Sequence, residues 1–366
     1  MANYYSPEIS EDFLYRNGLR DRWYAVCPSS FIQPGRIEKL RRLGQDWILY
    51  RDTAGKVSML EDRCPHRGAP LSQATHLGDR VGCKYHGVQV DGTGTVRAVP
   101  GMPGCEIEGQ RLVTAPAVRE HAGAVFAWFG TDADAEPAEL TFPDPLTDDG
   151  ISSFLCYAEW DCNWRFGLEN LLDPMHGTFL HHDSHSMSEG DTKAKFQIRE
   201  SDRGFFFEKT DQVGVNFDWV ELCHTGADWV DLSIPYPPSA GPGGAFGIVG
   251  MVIPIDATSC GVFFWRYRKV SGWLRDTWRF LYKTTLEPRH WEVLEQDRIM
   301  LEGMAPDADA AENLYQHDLG VMRIRRLFRK QAKRQAKAMA DSGSSSGARA
   351  RPARTRNTTE ATAATA

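Results

Sequence analysis

The chain has 366 residues, of which 42% are hydrophobic, 11% aromatic and 25% charged, and this usage is ordinary for a globular protein of about two domains. Its formal net charge of −7 argues against a protein built as a whole to bind nucleic acid. No apolar run is long enough to span a bilayer, and residues 1–16 lack the features of a signal peptide, so we expect a cytoplasmic protein whose partners are small molecules and other proteins.

The first third of the chain consists of short apolar runs separated by Gly, Pro and Asp. This pattern predicts a small β domain with long loops over residues 23–130. The preceding segment, 1–22, is expected to pack on the second domain. Residues 131–149 are rich in Ala, Asp, Pro and Glu, which is typical of a linker.

The second domain is predicted over residues 150–337. A segment with helical character at 164–182 is followed by strand-like runs, and two further helical stretches cover 272–286 and 288–304. The strand-like runs are 204–209, 215–222, 229–234 and 262–267. A sheet backed by helices, an α+β fold, is therefore expected.

Residues 323–337 carry eight Lys or Arg side chains, and the chain then becomes rich in Ser, Gly, Ala and Thr up to its last residue. A solvated basic helix followed by a disordered tail over 338–366 is the expected structure. A nucleic-acid-binding arm is the alternative interpretation.

Four residues in two short segments have the spacing of a metal site. Cys64 and His66 form C-x-H, and after sixteen residues Cys83 and His86 form C-x-x-H. Two thiolates and two imidazoles can hold a [2Fe–2S] cluster, with the cysteines on one iron and the histidines on the other. A structural zinc site is the alternative, although common zinc spacings put at least two residues between paired ligands.

The segments C-P-H-R-G-A-P-L and C-K-Y-H-G closely resemble the Rieske domain of aromatic-ring hydroxylating oxygenases and their demethylase relatives. The resemblance covers residues 23–130 and continues in the second domain. It implies an α+β chain with an N-terminal all-β Rieske [2Fe–2S] domain. The C-terminal catalytic domain would be a helix-backed antiparallel sheet of the helix-grip, START-like type.

A second set of candidate ligands reads N-x-x-D-x-x-H-x-x-x-x-H and ends at His176 and His181. Two histidines and one carboxylate leave open positions on Fe(II) for dioxygen. Because five residues in an ideal helix turn by about 140°, both histidines reach one ion only if the helix is distorted, and Pro174 favours a kink. His182 and His185 are alternatives to His181.

The missing carboxylate is assigned to Asp297 by the resemblance, since the family supplies its third iron ligand from a late helix with an aspartate in a similar setting. Glu295 and Glu302 lie on the same predicted helix. They remain alternatives, because any exposed helix carries carboxylates.

Asp173 and Asn170 are predicted to serve catalysis. Asp173 lies three residues before His176 and can accept a hydrogen bond from the free ring nitrogen of that ligand. In the family the equivalent aspartate also contacts a cluster histidine of the neighbouring subunit. Here this implies electron transfer from His86 of one chain through Asp173 to His176 of the next, in a head-to-tail ring that is expected to be a homotrimer.

Four residues are candidates to line a substrate cavity. His290, Val293 and Leu294 share a helix face with Asp297, and Phe166 lies upstream of His176. Ordinary helix packing explains the apolar members about equally well.

Basic side chains are expected to surround the cluster loops, and these are Arg63, Arg67, Arg80 and Lys84. On an acidic protein these charges can steer a reductase or a ferredoxin to the cluster. Ordinary solvent-facing charge is the plain alternative. The chain lacks a G-x-G-x-x-G fingerprint for flavin or nicotinamide, so the reductase is expected to be a separate chain.

The predicted function is that of a terminal oxygenase component. It would use O2 and electrons from NAD(P)H, delivered through the partner, to hydroxylate or dihydroxylate a small aromatic compound at a mononuclear non-haem Fe(II). An aryl O- or N-demethylase of the same family is the first alternative. A non-catalytic Rieske electron carrier would need only the cluster, and a zinc-stapled binding module would need no iron.

Overall fold

The computed structural model describes residues 9–132, 135–184, 193–212, 214, 218–235, 244–305 and 308–346. Its N-terminal part is built from ten short strands arranged in three antiparallel sheets, with the orders β1-β10-β9, β2-β3-β4 and β5-β6-β7-β8. The strands are β1 Arg22–Pro28, β2 Ile37–Arg42, β3 Gln45–Arg51, β4 Val57–Glu61, β5 Thr75–His76, β6 Arg80–Gly82, β7 Gln89–Asp91, β8 Val96–Ala98, β9 Val118–His121 and β10 Ala124–Phe129.

The C-terminal part contains a seven-stranded antiparallel sheet with the order β11-β17-β16-β15-β14-β13-β12. The neighbours β11 and β17 pair along their whole length, from Ile151 opposite Lys269 to Trp160 opposite Cys260. The strands are β11 Ile151–Trp160, β12 Phe196–Glu200, β13 Gly204–Lys209, β14 Trp219–Cys223, β15 Trp229–Pro235, β16 Ala245–Pro254 and β17 Cys260–Lys269.

Helices cover one face of this large sheet. A π-helical segment, Tyr282–Leu286, joins two of them, and Pro288 stands in the first turn of the second. The helices are α1 Glu11–Asn17, α2 Trp164–Leu171, α3 His176–Leu180, α4 Gly272–Leu281, α5 Glu287–Glu302, α6 Ala308–Ala311 and α7 Leu319–Ser346. The α+β prediction is confirmed.

The large sheet is buried on both faces, because alternate residues of a strand point to opposite sides. Along β17, Val262 and Phe264 join the core under the helices. Phe263 and Trp265 join a second core that also contains residues of β1 and β10, and Phe126 of β10 stacks on Trp265 with 6.1 Å between ring centroids. The N-terminal part and the large sheet therefore share one apolar core.

Helix α7 differs from the expected solvated basic helix. It buries Val321, Ile324, Phe328 and Ala332 and packs against α1 and α2. It also continues past Lys337 to Ser346. The rest of the expected disordered tail, 347–366, lies outside the described residues.

No helix in the described ranges is long and apolar enough to cross a membrane.

Candidate functional site

Two loops with matching backbone hydrogen bonds carry the four candidate cluster ligands. The amide of Gly68 donates to the carbonyl of Cys64 at 2.9 Å, and the amide of Gly87 donates to the carbonyl of Cys83 at 2.8 Å. Both glycines have φ near +76°, a conformation that costs other residues free energy. Each glycine thus lets its loop close tightly next to a candidate ligand.

The loops place the thiols inside and the imidazoles outside. Cys64 and Cys83 are 2% and 3% exposed, whereas His66 and His86 lie on the surface with 4.6 Å between their ring centroids. Burial raises the pKa of Cys64 to about 11, and the Cys83 thiol adds to this rise. Two adjacent buried thiols and two adjacent imidazoles form a donor set that fits a [2Fe–2S] cluster held by both loops.

The backbone also donates to one of the two candidate sulfur ligands, Cys64. The amides of His66 and Arg67 donate hydrogen bonds to the Cys64 thiol and oppose the rise of its pKa. Such bonds stabilise a thiolate, and hydrogen bonds to sulfur are one means by which a protein tunes a cluster's reduction potential.

The segment that carries the two candidate iron ligands is broken rather than kinked. Helix α2 ends at Leu171, and α3 begins only at His176. Asp173 caps the turn between them, since its Oδ1 accepts from the amide of Met175 at 2.8 Å. His181 follows the end of α3 with non-helical φ −105° and ψ 33°. The non-helical backbone at His181 brings the two imidazoles together, with 5.2 Å between their ring centroids.

Asp297 meets both histidines. Its Oδ1 lies 3.2 Å from Nε2 of His181 and 3.5 Å from Nε2 of His176, and one ligand atom from each residue falls within 4.8 Å of the other two. His181 Nε2 is buried without a hydrogen bond. Burial lowers the pKa of His181, but the contact with Asp297 outweighs it and leaves the pKa raised. A carboxylate facing two ring nitrogens fits a divalent iron.

A hydrogen bond at Nδ1 of each histidine ring leaves Nε2 to face the centre of the candidate metal site. His181 Nδ1 donates to Oε1 of Gln296 at 2.8 Å, and His176 Nδ1 donates to the backbone carbonyl of Asp173 at 2.6 Å. The carboxylate of Asp173 is 3.8 Å from His176 Nδ1. The prediction that this carboxylate accepts the hydrogen bond is therefore wrong, because the turn after α2 points the backbone carbonyl of Asp173 at the ring instead. Gln296 was not predicted as a site residue. The one indication of its role in the sequence is its position next to Asp297.

Asn170 belongs to the same group, since its Nδ2 donates to Oδ1 of Asp297 at 3.2 Å. The alternative carboxylates lie elsewhere. Glu295 is exposed and pairs with Arg298, while Glu302 accepts from the amide of Asp161 at 2.9 Å.

The alternative histidines do not replace His181 among the described residues. The side chain of His182 is 69% exposed and pairs with Asp183, so it points away from the group. His185 lies outside the described residues.

A cavity of about 70 Å³ opens next to the three candidate ligands. Of the predicted lining residues, His290, Val293 and Leu294 contact it, as does Asn170. Phe166 does not and is buried in the main core, because it lies one turn, about 6 Å, further from the end of α2 than Asn170. The sheet supplies walls that sequence reasoning missed, and these are Leu232, Ile234, Phe246, Ile248, Phe264 and Arg266.

Two family models match the chain. Residues 22–116 match the Rieske [2Fe-2S] domain, and residues 160–334 match the vanillate O-demethylase oxygenase C-terminal domain. The chain is also similar to the terminal oxygenase of carbazole 1,9a-dioxygenase from Nocardioides aromaticivorans IC177, with a TM-score of 0.70, 20% identity and coverage of 88% of this chain and 97% of that one. At this identity the likeness shows the fold.

Curated relatives match about half of the chain. Chlorophyllide a oxygenase, chloroplastic, from Chlamydomonas reinhardtii is 35% identical over 180 residues, 48% of this chain and 26% of the relative. The vanillate O-demethylase oxygenase subunit from Pseudomonas sp. (strain HR199 / DSM 7063) is 29% identical over 178 residues, 47% of this chain and 48% of the relative. The matches thus span about half or less of these relatives.

The two family models cover both halves of the chain in order. The first contains both cluster loops, and the second contains all three candidate iron ligands. Together with the fold, these matches show that the chain belongs to the Rieske non-haem iron oxygenases.

Proposed function

We propose that this protein is a terminal oxygenase component that uses O2 and externally supplied electrons to hydroxylate a small aromatic compound. The observation that supports this most strongly is the convergence of His176, His181 and Asp297 at one end of an apolar cavity. Ligands held on one side leave the other side of the metal free to meet a substrate in the cavity.

Iron bound by these three residues would supply oxygen activation, and a cluster bound by the two loops would supply electrons one at a time. The protein's own part is positional. Gln296 and the Asp173 carbonyl hold the imidazoles in the correct tautomer, and Asn170 orients Asp297. The apolar walls exclude water from the reacting carbon.

The stoichiometry follows from this reaction class. Monohydroxylation replaces C–H by C–OH with one oxygen atom of O2, and two electrons and two protons reduce the other atom to water. Dihydroxylation places both oxygen atoms on the ring, and the two electrons and two protons complete the diol. NAD(P)H would provide both electrons through the partner.

An aryl O- or N-demethylase is a second candidate, and the match of residues 160–334 to the vanillate O-demethylase C-terminal domain favours it. Hydroxylation of an O-methyl carbon gives a hemiacetal that breaks into a phenol and formaldehyde. Formaldehyde release therefore separates this reaction from ring hydroxylation at the same iron.

We further propose that electrons reach the iron from the cluster of a neighbouring subunit in a homotrimer. His86 lies on the surface, and the Asp173 side chain is 33% exposed, so each can reach a group on another chain. The backbone carbonyl that accepts the hydrogen bond from His176 belongs to Asp173 itself.

A reductase or ferredoxin would dock at the cluster loops. Arg63, Arg67 and Lys84 are exposed and form no ion pair with a described carboxylate. Arg80 is neutralised by Asp79 at 2.9 Å and contributes less to steering. A cytoplasmic location is part of the same proposal.

The deciding experiment combines spectroscopy with product analysis. Rieske-type visible and EPR spectra would exclude a zinc module, and substrate-dependent oxygen uptake would exclude a pure electron carrier. Incubation with labelled O2 and a panel of aromatic compounds should then yield labelled phenols, diols or formaldehyde. A purified protein that holds both metals and receives electrons but oxidises no member of a broad panel would contradict the proposal.

A further inference from the structure

Arg266 is a buried cation in the wall of the cavity. It lies on β17, is 3% exposed and contacts the cavity. Its partners are neutral: Nη2 donates to the carbonyl of His290 at 2.8 Å, and Nη1 donates to Tyr282 Oη and to Cys156 Sγ, both at 3.3 Å. Among the residues that the structure describes, no carboxylate lies within 4.0 Å of its guanidinium.

Such an arrangement is costly without an anion. Removing a guanidinium from water costs several kcal/mol unless an opposite charge compensates it. Three of the other buried arginines have that compensation, since Arg22 pairs with Asp228 at 3.1 Å and Arg165 with Asp309 at 2.6 Å, and Arg42 bonds to a glutamate. Arg266 also has five N–H donors, of which the described contacts occupy three.

His290 adds a polar but uncharged group beside Arg266. Burial and the neighbouring guanidinium lower the pKa of His290 to about 3, so its ring is neutral at neutral pH. The ring stacks on Phe246 with 5.1 Å between centroids, and its Nδ1 is buried without a hydrogen bond. This end of the cavity thus combines one fixed positive charge with an unsatisfied ring nitrogen.

The charged end and the candidate iron ligand Asp297 lie about two helical turns apart along α5. His290 and Asp297 stand two turns apart on α5, a rise of about 10 Å. Val293 and Leu294 lie between them and contact the cavity, which gives the space between the two ends an apolar wall.

We propose that Arg266, assisted by His290, binds a carboxylate on the aromatic substrate and so directs the opposite end of the ring to the iron. This inference deepens the proposed function and rests on it, because it assumes that the cavity holds the substrate. A carboxylate matches the planar donor fork of arginine with two hydrogen bonds. It would also compensate the buried charge.

The test compares matched acids and amides. The probes are benzoate, 2-, 3- and 4-methoxybenzoate and the corresponding carboxamides, which have nearly the same shape without the charge. Binding to the full-length, metal-loaded protein is measured by calorimetry and by the shift in Tm. We expect at least one acid to bind roughly ten-fold or more tightly than its amide. If no acid binds more tightly than its amide, the proposal is wrong.

Substitutions test whether Arg266 causes the preference for the acid. Arg266→Met should abolish the preference for the acid while leaving amide affinity within about two-fold, and Arg266→Lys should retain part of the preference. Tyr282→Phe is the matched control, since it removes a contact of the guanidinium and keeps the charge, and it should retain the preference. An equal loss of acid and amide binding in Arg266→Met, Arg266→Lys and Tyr282→Phe would show that the arginine is only structural.

Oxygen uptake separates this inference from the proposed function. An acid that binds through Arg266 but supports no oxygen uptake, with electrons supplied, would count against the oxygenase and leave the anion site standing. Oxidation of the amides with no preference for acids would support the oxygenase and overturn the anion site.

Discussion

The amide of Asn170 donates to the same oxygen of Asp297 that faces both candidate histidine ligands, at an Nδ2 to Oδ1 distance of 3.2 Å. A residue at the end of α2 therefore orients the carboxylate that α5 contributes. This contact ties together the two helices of the candidate iron site.

Asn170→Ala should weaken iron binding without removing a ligand. Loss of an outer hydrogen bond to a metal ligand typically lowers affinity by about ten-fold or more. Iron content after equilibration with graded chelator concentrations measures this effect. Asn313→Ala, at an exposed asparagine, is the control and should behave as wild type, and equal iron retention in both variants would exclude the orienting role.

His181→Ala should lose the mononuclear iron and keep the cluster. The loss follows from the buried Nε2 that faces Asp297, and the cluster should persist because its four candidate ligands lie on other loops. His182→Ala is the matched control, since that side chain is 69% exposed. Metal analysis and the visible spectrum give the two readouts, and iron loss in His182→Ala alone would reverse the assignment.

Asp173→Ala should retain both metals yet lose turnover driven by the reductase. Iron should remain, because the Asp173 backbone carbonyl rather than its carboxylate holds His176. Turnover should fall, because the proposed path between subunits uses the side chain. Asp183→Ala, at a side chain that is 81% exposed, is the control. Unchanged turnover of Asp173→Ala would contradict the proposed electron-transfer path between subunits, and loss of iron would show a structural role instead.

Stability should fall with rising pH because of Asp231. Burial raises the pKa of Asp231 to about 7, the Tyr267 hydroxyl that donates to it opposes this rise, and Glu221 on the adjacent strand adds to it. The folded state therefore holds the proton more tightly than the unfolded chain, whose carboxyl has an ordinary pKa near 4. The stabilisation is complete below about pH 4 and is lost as pH rises through about 7, by at most about 4 kcal/mol.

Asp231→Asn removes the titrating carboxyl, so the stability of the variant lacks this pH dependence. The Tm of wild type minus that of the variant should decrease from pH 5 to pH 8 in matched thermal scans. Parallel profiles over this range would show that Asp231 carries no raised pKa.

Short-range features of the site could be predicted from the sequence, because they depend on spacing. The cluster segments place a cysteine, a histidine and a glycine within five residues, and the structure shows both loops closed at Gly68 and Gly87. The five-residue spacing of His176 and His181 required a departure from ideal helix, and the end of α3 at Leu180, after which His181 is non-helical, supplies one.

Long-range features could not be predicted in this way. Asp297 was assigned from the resemblance alone, since no spacing connects it with His176. Arg266 lies on a strand that the sequence predicted over residues 262–267, but which face of that strand meets the cavity depends on helices packed from distant parts of the chain. The buried stripe of α7 was hidden by its eight basic residues, whose long side chains surround a narrow apolar face.

The apolar core shared by the N-terminal part and the large sheet makes the two halves one cooperative unit. Separating them would expose Phe126, Trp265 and their neighbours to water, so hinge motion between the halves is strongly opposed. Motion of the N-terminal part relative to the candidate iron ligands is opposed by the same burial. The spacing between the two candidate metal sites of one chain is thus a property of the fold itself.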